Sequence, residues 1–222
     1  MSRTRSFALA SALVTAGAVA ALLGPAASGQ GGGDNVPPTW WTPPDDVRAM
    51  LQQVSADSLE HYDRTLVGFG TRHTLSSQTD PTRGIGAARD WIKSQFDADA
   101  ATSGGRMTVS LESYVQPVAP RIPTPTVITD VVATLHGTDP KSSDRVYVVG
   151  GHYDSRVTDV LNATADAPGA DDDGSGVSAV LELARLFAPH PPDSTIVFVA
   201  YAGEEQGLYG SNHLAQLAQD QG

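Results

Sequence analysis

Three short stretches of this sequence decide its fold. Residues 145–150 read RVYVVG, residues 175–188 read SGVSAVLELARLFA, and residues 195–201 read TIVFVAY. The first and last are continuous apolar runs, which are typical of central strands covered on both faces. The middle stretch predicts a helix because apolar residues recur on one face: Val177, Val180, Leu181, Ala184 and Phe187. A strand, a helix and a strand in this order predict a βαβ unit.

The sequence before this unit predicts two more helices and two more strands. One helix is expected over residues 45–62 and another over residues 83–96. The first of these helices is expected to bury one apolar face: Val47, Met50, Leu51 and Val54. Apolar residues at 109–115 and 131–135 indicate strands, with a proline-rich stretch between them. Together the patterns predict an α/β fold with a central mixed sheet, in one domain over residues 45–222.

Composition and charge exclude several classes of function. The 222 residues contain 25 Asp and Glu against 14 Lys and Arg, which gives a formal net charge of −11. A chain this acidic repels the phosphates of nucleic acids and anionic membranes, so neither is an expected partner. The sequence has no cysteine, which excludes disulfides, thiolate zinc sites and a cysteine nucleophile. Any bound metal must therefore be held by histidine and carboxylate side chains.

The N-terminus has the pattern of an export signal. Arg3 and Arg5 precede an apolar run over residues 7–23, which ends at a Gly-Pro pair followed by small residues. We predict a cleaved Sec-type signal peptide at residues 1–29, and hence a secreted or periplasmic protein. A stable membrane anchor is not expected because the run is short, rich in alanine and broken by Gly-Pro. A Gly/Pro-rich linker is predicted at residues 30–44.

Histidine and carboxylates are concentrated just after the two predicted strands of the βαβ unit. Residues 151–155 read GHYDS, residues 202–206 read AGEEQ, and residues 168–176, before the helix, read PGADDDGSG. In an open α/β sheet such segments meet at the carboxyl ends of the strands. A lone histidine or a pair of glutamates is usually a solvated surface feature, but the three clusters at one sheet edge favour a metal site. A cation would also offset the crowded aspartates.

These motifs, taken as GGHYDS at 150–155, PGADDDGSG at 168–176 and AGEEQGLYGS at 202–211, resemble the M28 family of co-catalytic zinc peptidases. Its exported bacterial aminopeptidases are the nearest match, and residues 70–74 and 130–137 resemble the family more loosely. The resemblance implies a three-layer, phosphorylase/hydrolase-like zinc exopeptidase fold and peptide substrates. Glutaminyl cyclases and carboxypeptidases resemble the same family and are alternatives. A further alternative is a catalytically inactive fragment or a binding module.

The resemblance also implies a role for each site residue and a pair of zinc ions. His152 would ligate one zinc, Glu205 would ligate the other, and Asp172 would bridge the two. Asp154 would orient the imidazole of His152. Glu204 would act as general base on a zinc-activated water and then as acid toward the leaving amine.

The sequence departs from the family pattern downstream of the Glu-Glu pair. Family members supply a further Asp and a further His there, whereas the candidates after Glu205 are His213 and Asp220, in a helix predicted from about Leu208. We expect neither to bind metal, so each zinc lacks one protein ligand. We also expect the C-terminal part of the fold to be missing, which leaves an apolar sheet edge exposed. His73 is a further candidate because its loop would approach the cleft.

Overall fold

A four-stranded mixed sheet forms the centre of the fold, in a computed structural model that describes residues 42–221. The strand order is β1-β2-β4-β3, where β1 and β2, and β2 and β4, are antiparallel and β3 and β4 are parallel. The predicted α/β class with a mixed sheet is confirmed. The strands are β1 (Met107–Gln116), β2 (Thr126–Leu135), β3 (Val146–His152) and β4 (Thr195–Tyr201).

Helices cover both faces of the sheet and make three layers. Helices α2 (Ala56–Gly68), α3 (Ile85–Thr102) and α4 (Ser175–Phe187) pack on one face. A short helix, α5 (Glu204–Gly207), leads into α6 (Tyr209–Gln221), which lies against the other face. The main core lies between the sheet and helices α2, α3 and α4, where the predicted face of α4 is buried apart from the partly buried Phe187. Its central side chains are Leu66, Ile92, Phe96, Val131, Ala133, Val177, Leu181 and Phe198.

The predicted helix over residues 45–62 is wrong in one respect, because it is two helices. Helix α1 covers Asp45–Leu51, and α2 begins after Ser55, whose side chain caps it by accepting a hydrogen bond from the Ser58 N–H at 3.0 Å. Glu182 of α4 accepts the Ser55 N–H at 2.8 Å and fixes the break. Helix α1 buries no residue, so its predicted apolar face is not a core face.

The second predicted helix forms with shifted ends. Gly84 has a φ of +93°, which is outside the helical region, so α3 begins at Ile85 rather than at residue 83. It then continues to Thr102, six residues beyond the predicted end. The apolar residues at its predicted spacing are all buried: Ile85, Ala88, Ile92 and Phe96.

Strand β3 does not have the predicted cover on both faces. Within residues 42–221 it is the last strand at one end of the sheet, and Val146, Tyr147 and Val148 are 58%, 57% and 55% exposed. The other strand of the βαβ unit, β4, is interior and lies between β2 and β3. The apolar edge that the sequence analysis expects is therefore present along β3.

The ends of β3 and β4 fix the place of the predicted site. The two strands are parallel, with His152 beside Tyr201, so the segments that follow them leave the sheet at the same edge. The turn at residues 170–174, which precedes α4, returns to this edge. None of the described helices has both the length and the hydropathy of a membrane span. The predicted signal peptide (1–29) and most of the predicted linker (30–44) lie outside the described residues.

Candidate metal centre

The imidazole of His152, the last residue of β3, faces two acidic side chains. Its Nε2 atom lies 3.1 Å from Oδ1 of Asp172 and 3.8 Å from Oε2 of Glu204. Two ligands of a tetrahedral zinc, each about 2.0–2.2 Å from the ion, are separated by roughly 3.3–3.6 Å. The His152–Asp172 separation is slightly shorter than this range, and both donor types are ones that zinc accepts.

Asp154 is fully buried between the two strand ends and holds the Glu-Glu pair. Its carboxylate accepts hydrogen bonds from the backbone N–H of Glu204 at 3.2 Å, from the N–H of Glu205 at 3.1 Å and from the hydroxyl of Thr74 at 2.9 Å. The Nδ1 atom of His152 is 3.6 Å from Oδ1 of Asp154 and 3.2 Å from its carbonyl oxygen. Asp154 therefore lies beside the imidazole as predicted and also anchors the glutamates, a contact that the sequence analysis missed.

The aspartate triplet forms an irregular turn in which Asp172 and Asp173 face different ways. Gly169 begins the turn with a φ of +48°, and the backbone of both aspartates is non-helical. The side chain of Asp172 is 78% exposed and faces His152. Asp173 instead accepts the His152 N–H and the Gly176 N–H, each at 3.0 Å. It thus joins the end of β3 to the start of α4 and sets the position of Asp172.

The neighbouring glutamates also face different ways. Gly203, with a φ of +75°, turns the chain after β4 and begins α5. Glu204 is turned toward His152, whereas the nearly buried carboxylate of Glu205 pairs with the guanidinium of Arg156. Arg121 donates a hydrogen bond to the carbonyl oxygen of Glu205 at 2.8 Å. The structure thus groups His152 with Asp154, Asp172 and Glu204, and it turns Glu205 toward a cation.

The charges of this cluster shift the pKa of two of its members. Burial lowers the pKa of His152, but the hydrogen bond and charge of Asp154, together with the charges of Glu204 and Asp173, outweigh it and raise the pKa to about 9. Burial raises the pKa of Glu204, His152 lowers it, and the neighbouring carboxylates raise it again. The neighbouring carboxylates therefore favour positive charge at His152, and a metal ion bound there would have to displace the imidazole proton.

The residues supply a pair of zinc donors rather than a complete cage. Within residues 42–221, no three His, Cys, Asp or Glu side chains converge closely enough to hold an ion. The donor chemistry of His152 and Asp172 nevertheless fits zinc, and the 3.1 Å between their atoms is close to the separation of two zinc ligands. Glu205 is the third predicted ligand, and in this structure its carboxylate is bound by Arg156.

The remaining histidine and aspartate candidates have other partners. His73 is fully buried, with Nε2 3.1 Å from the carbonyl oxygen of Val160 and Nδ1 accepting the Leu75 N–H at 3.0 Å. Burial lowers the pKa of His73. His213 and Asp220 both lie on α6. His213 stacks on the ring of Tyr114, and Asp220 accepts a hydrogen bond from Gln216.

Arg72 is a buried residue near the site to which the sequence analysis gave no role. It is completely buried, and its side chain reaches the loops that carry His152 and Asp172. No spacing pattern marks it, because its partners are backbone oxygens of segments that are distant in sequence. The one feature of the sequence that includes Arg72 is the segment at residues 70–74, which loosely resembles the M28 family.

Comparisons with known proteins agree with this geometry. A family model described as "Peptidase family M28" matches residues 130–222. A relative from Pyricularia oryzae named "Probable zinc metalloprotease" is 62% identical over 174 residues, which are 78% of this chain and 34% of the relative. The chain thus spans about a third of the length of that relative.

Solved structures give the same fold. The LapA aminopeptidase of Legionella pneumophila is 27% identical with a TM-score of 0.60, over 80% of this chain and 42% of that chain. The glutaminyl cyclase of Tannerella forsythia is 26% identical with a TM-score of 0.51, over 68% of this chain and 47% of that chain. The high identity to the fungal relative and the shared fold agree with the family match over the Asp and Glu-Glu motifs. Residues 130–222 of this chain match peptidase family M28.

Proposed function

We propose that this protein is an exported, zinc-dependent exopeptidase, most simply an aminopeptidase that removes N-terminal residues from peptides. The observation that carries the proposal is the 3.1 Å approach of His152 Nε2 and Asp172 Oδ1, with Glu204 3.8 Å from the same imidazole. This arrangement supplies a pair of metal donors and a carboxylate beside them. The zinc metalloprotease name of the fungal relative supports the choice of metal.

The residues divide the chemistry between them. His152 and Asp172 would hold zinc, with Glu205 as a further ligand, and the bound metal would polarise the scissile carbonyl and acidify a water molecule. Glu204 takes the proton from the attacking water and gives it to the leaving amine. The pKa of Glu204 is raised toward neutral pH, which suits both the uptake of the proton and its release. Asp154 holds the backbone of Glu204 and keeps the base beside His152.

The acidic surroundings favour a substrate with a free α-amine. Asp172 and Glu204 are both partly exposed at the edge of the sheet, where their charges attract an ammonium group. The name of the Legionella aminopeptidase, which shares the fold, supports this choice. A second candidate is cyclisation of an N-terminal glutamine, which the likeness to the Tannerella glutaminyl cyclase supports. Export rests on the signal pattern at residues 1–29.

The test compares three substrates with zinc added and removed. Purified protein is assayed with leucine p-nitroanilide, its N-acetylated form and a peptide that begins with glutamine, with Glu204→Gln as control. Zinc-dependent release of p-nitroaniline from the free amine alone supports an aminopeptidase. Ammonia release from the glutamine peptide without cleavage supports a cyclase instead. A wild-type protein that binds no zinc and turns over none of the substrates contradicts both and favours a binding module.

A further inference from the structure

The loop between α2 and α3 sends one arginine into the space between the two loops that carry the metal donors. Arg72 has no exposed surface, although it is a charged residue. Burial of a charge is costly unless its hydrogen-bond donors are satisfied. The partners of the guanidinium therefore indicate what the residue does.

All of the hydrogen bonds of the Arg72 guanidinium go to backbone carbonyl oxygens. Nε donates to Tyr153, between His152 and Asp154, at 2.7 Å. The two terminal nitrogens donate to the segment just before the aspartate triplet, at 2.7 Å to Pro168 and 2.8 Å to Gly169. A further bond of 3.0 Å reaches Leu66 near the end of α2. One side chain thus joins the loop after β3, the turn before α4 and a helix end.

The backbone around Arg72 reinforces the same connection. The Arg72 N–H donates to the hydroxyl of Ser155 at 3.1 Å, and the Ser155 N–H donates to the Arg72 carbonyl at 3.3 Å. The Ser155 hydroxyl donates in turn to Ala167 at 2.7 Å, and the Ala167 N–H donates to Gly70 at 2.8 Å. Residues 70–72 therefore lie as a strap across both loops.

The geometry suits arginine and not lysine. A guanidinium has five donors in a rigid planar fork, whereas an ammonium has three donors on a single nitrogen. Burial lowers the pKa of Arg72 to about 10, with Asp154, Asp63 and Asp173 acting in the opposite direction, so the group stays charged at neutral pH. A lysine at this place could not reach all four carbonyls from one point.

We infer that Arg72 is a positioning residue that holds the loops of His152 and Asp172 at the separation a shared metal ion requires. The inference rests on the proposed function for its purpose, and on the hydrogen bonds of the Arg72 guanidinium for its mechanism. It assigns no contact with substrate or metal to Arg72. The effect is transmitted through the carbonyls of Tyr153 and Gly169, which lie one and three residues from the donors.

The experiment compares Arg72→Lys with Arg106→Lys. Arg106 is a matched control because it also donates to two carbonyls, of Ala188 and Pro189, both at 3.3 Å, at the opposite end of the sheet. Amide hydrogen exchange of the zinc-free proteins is measured over residues 150–156 and 167–174. Zinc affinity is measured by competition with a chromophoric chelator, and global stability by urea unfolding.

Arg72→Lys should speed exchange in both loops and weaken zinc binding by about 10- to 100-fold, the usual effect of losing a residue that holds the metal ligands in place. Arg106→Lys should change neither, even where its loss of global stability is similar. Exchange in the two loops that stays at the wild-type rate in Arg72→Lys overturns the inference, and so does exchange that rises uniformly across the whole protein. If wild-type protein binds no zinc, the proposed function fails, and the exchange data alone decide the inference.

A second variant covers the case in which Arg72→Lys does not fold. Ser155→Ala removes both hydrogen bonds of the Ser155 hydroxyl, with the Arg72 N–H and the Ala167 carbonyl, and leaves the guanidinium in place. It should speed exchange in the same two loops by a smaller factor, with the rest of the sheet at the wild-type rate. Unchanged exchange in both loops would show that the strap does not hold them.

Discussion

The guanidinium of Arg156 pairs with the carboxylate of Glu205, the glutamate that family resemblance assigns to a metal. The Glu205 side chain is only 10% exposed and that of Arg156 is 33% exposed, so the pair is shielded from solvent on one side. A buried carboxylate needs a cation, and in this structure Arg156 supplies it. We therefore expect Arg156 and a metal ion to compete for the same carboxylate.

This competition predicts that Arg156→Gln binds zinc more tightly than wild type. Removal of the competing guanidinium should lower the zinc dissociation constant by roughly tenfold, which corresponds to about 1.4 kcal/mol. Isothermal titration at low ionic strength measures the change. Arg64→Gln is the control, because Arg64 pairs with Glu60 on the exposed face of α2. Weaker zinc binding in Arg156→Gln would show instead that the arginine orients Glu205 for the metal.

The position of Glu204 predicts a loss of turnover without a loss of metal. Glu204→Gln keeps the shape of the side chain but cannot accept a proton, so kcat should fall by about 100-fold or more with zinc affinity near the wild-type value. His152→Ala and Asp172→Ala should instead lose zinc, because they remove the donor pair. Stopped assays on a free-amine substrate and metal analysis of the dialysed proteins separate the two outcomes. Full activity in Glu204→Gln would remove it from the mechanism.

The buried carboxyl of Asp130 predicts a specific dependence of stability on pH. Asp130 on β2 is 1% exposed, Oδ1 accepts the Ala202 N–H at 2.8 Å, and Oδ2 has no partner among the described residues. Burial raises the pKa of Asp130 to about 7, the Ala202 bond lowers it, and the charges of Asp154 and Glu112 raise it. The folded protein therefore keeps a proton that the unfolded chain, with a pKa near 3.8, releases.

The free energy of unfolding should consequently fall as pH rises through this window. The stability that depends on the protonated Asp130 carboxyl is fully present below about pH 4 and is lost by about pH 7. This part of the free energy of unfolding is at most about 4 kcal/mol. Asp130→Asn has no such proton, so the stability of wild type minus that of Asp130→Asn should decrease from pH 4 to pH 7. Urea unfolding at each pH, with chelator present, measures it. A difference that does not vary with pH would contradict the raised pKa.

The meeting of His152 and Glu204 at one edge of the sheet was predictable from the sequence, because it follows from strand order alone. Parallel neighbours such as β3 and β4 end at one sheet edge, so His152 and Glu204 had to meet there once both strands were identified. The exposure of β3 was not predictable in the same way, because an apolar run reports the composition of a strand and not what packs on it. Similarly, the apolar spacing from Val47 to Val54 gave no sign of the break before Ser55, whose side chain caps the start of α2.

Arg72 shows a second limit of sequence reasoning. Its role depends on carbonyl oxygens, which every residue possesses, so its partners leave no signature in the sequence. The partners of Asp154 are likewise backbone N–H groups, of Glu204 and Glu205. Contacts from side chain to backbone thus supply much of the order in this site. They become visible only when the loops are placed in three dimensions.

The exposed residues of β3 predict concentration-dependent self-association. Val148 is 55% exposed on a strand that, within residues 42–221, pairs on one side, with β4. Such an apolar edge is a template for pairing with another chain, and a lysine on it opposes that pairing. Val148→Lys should therefore lower the weight-average mass measured by light scattering at high protein concentration. Leu51→Lys is the control, because Leu51 is equally exposed, at 58%, but lies on helix α1. An equal effect of both substitutions would assign the association to general surface hydrophobicity rather than to the strand edge.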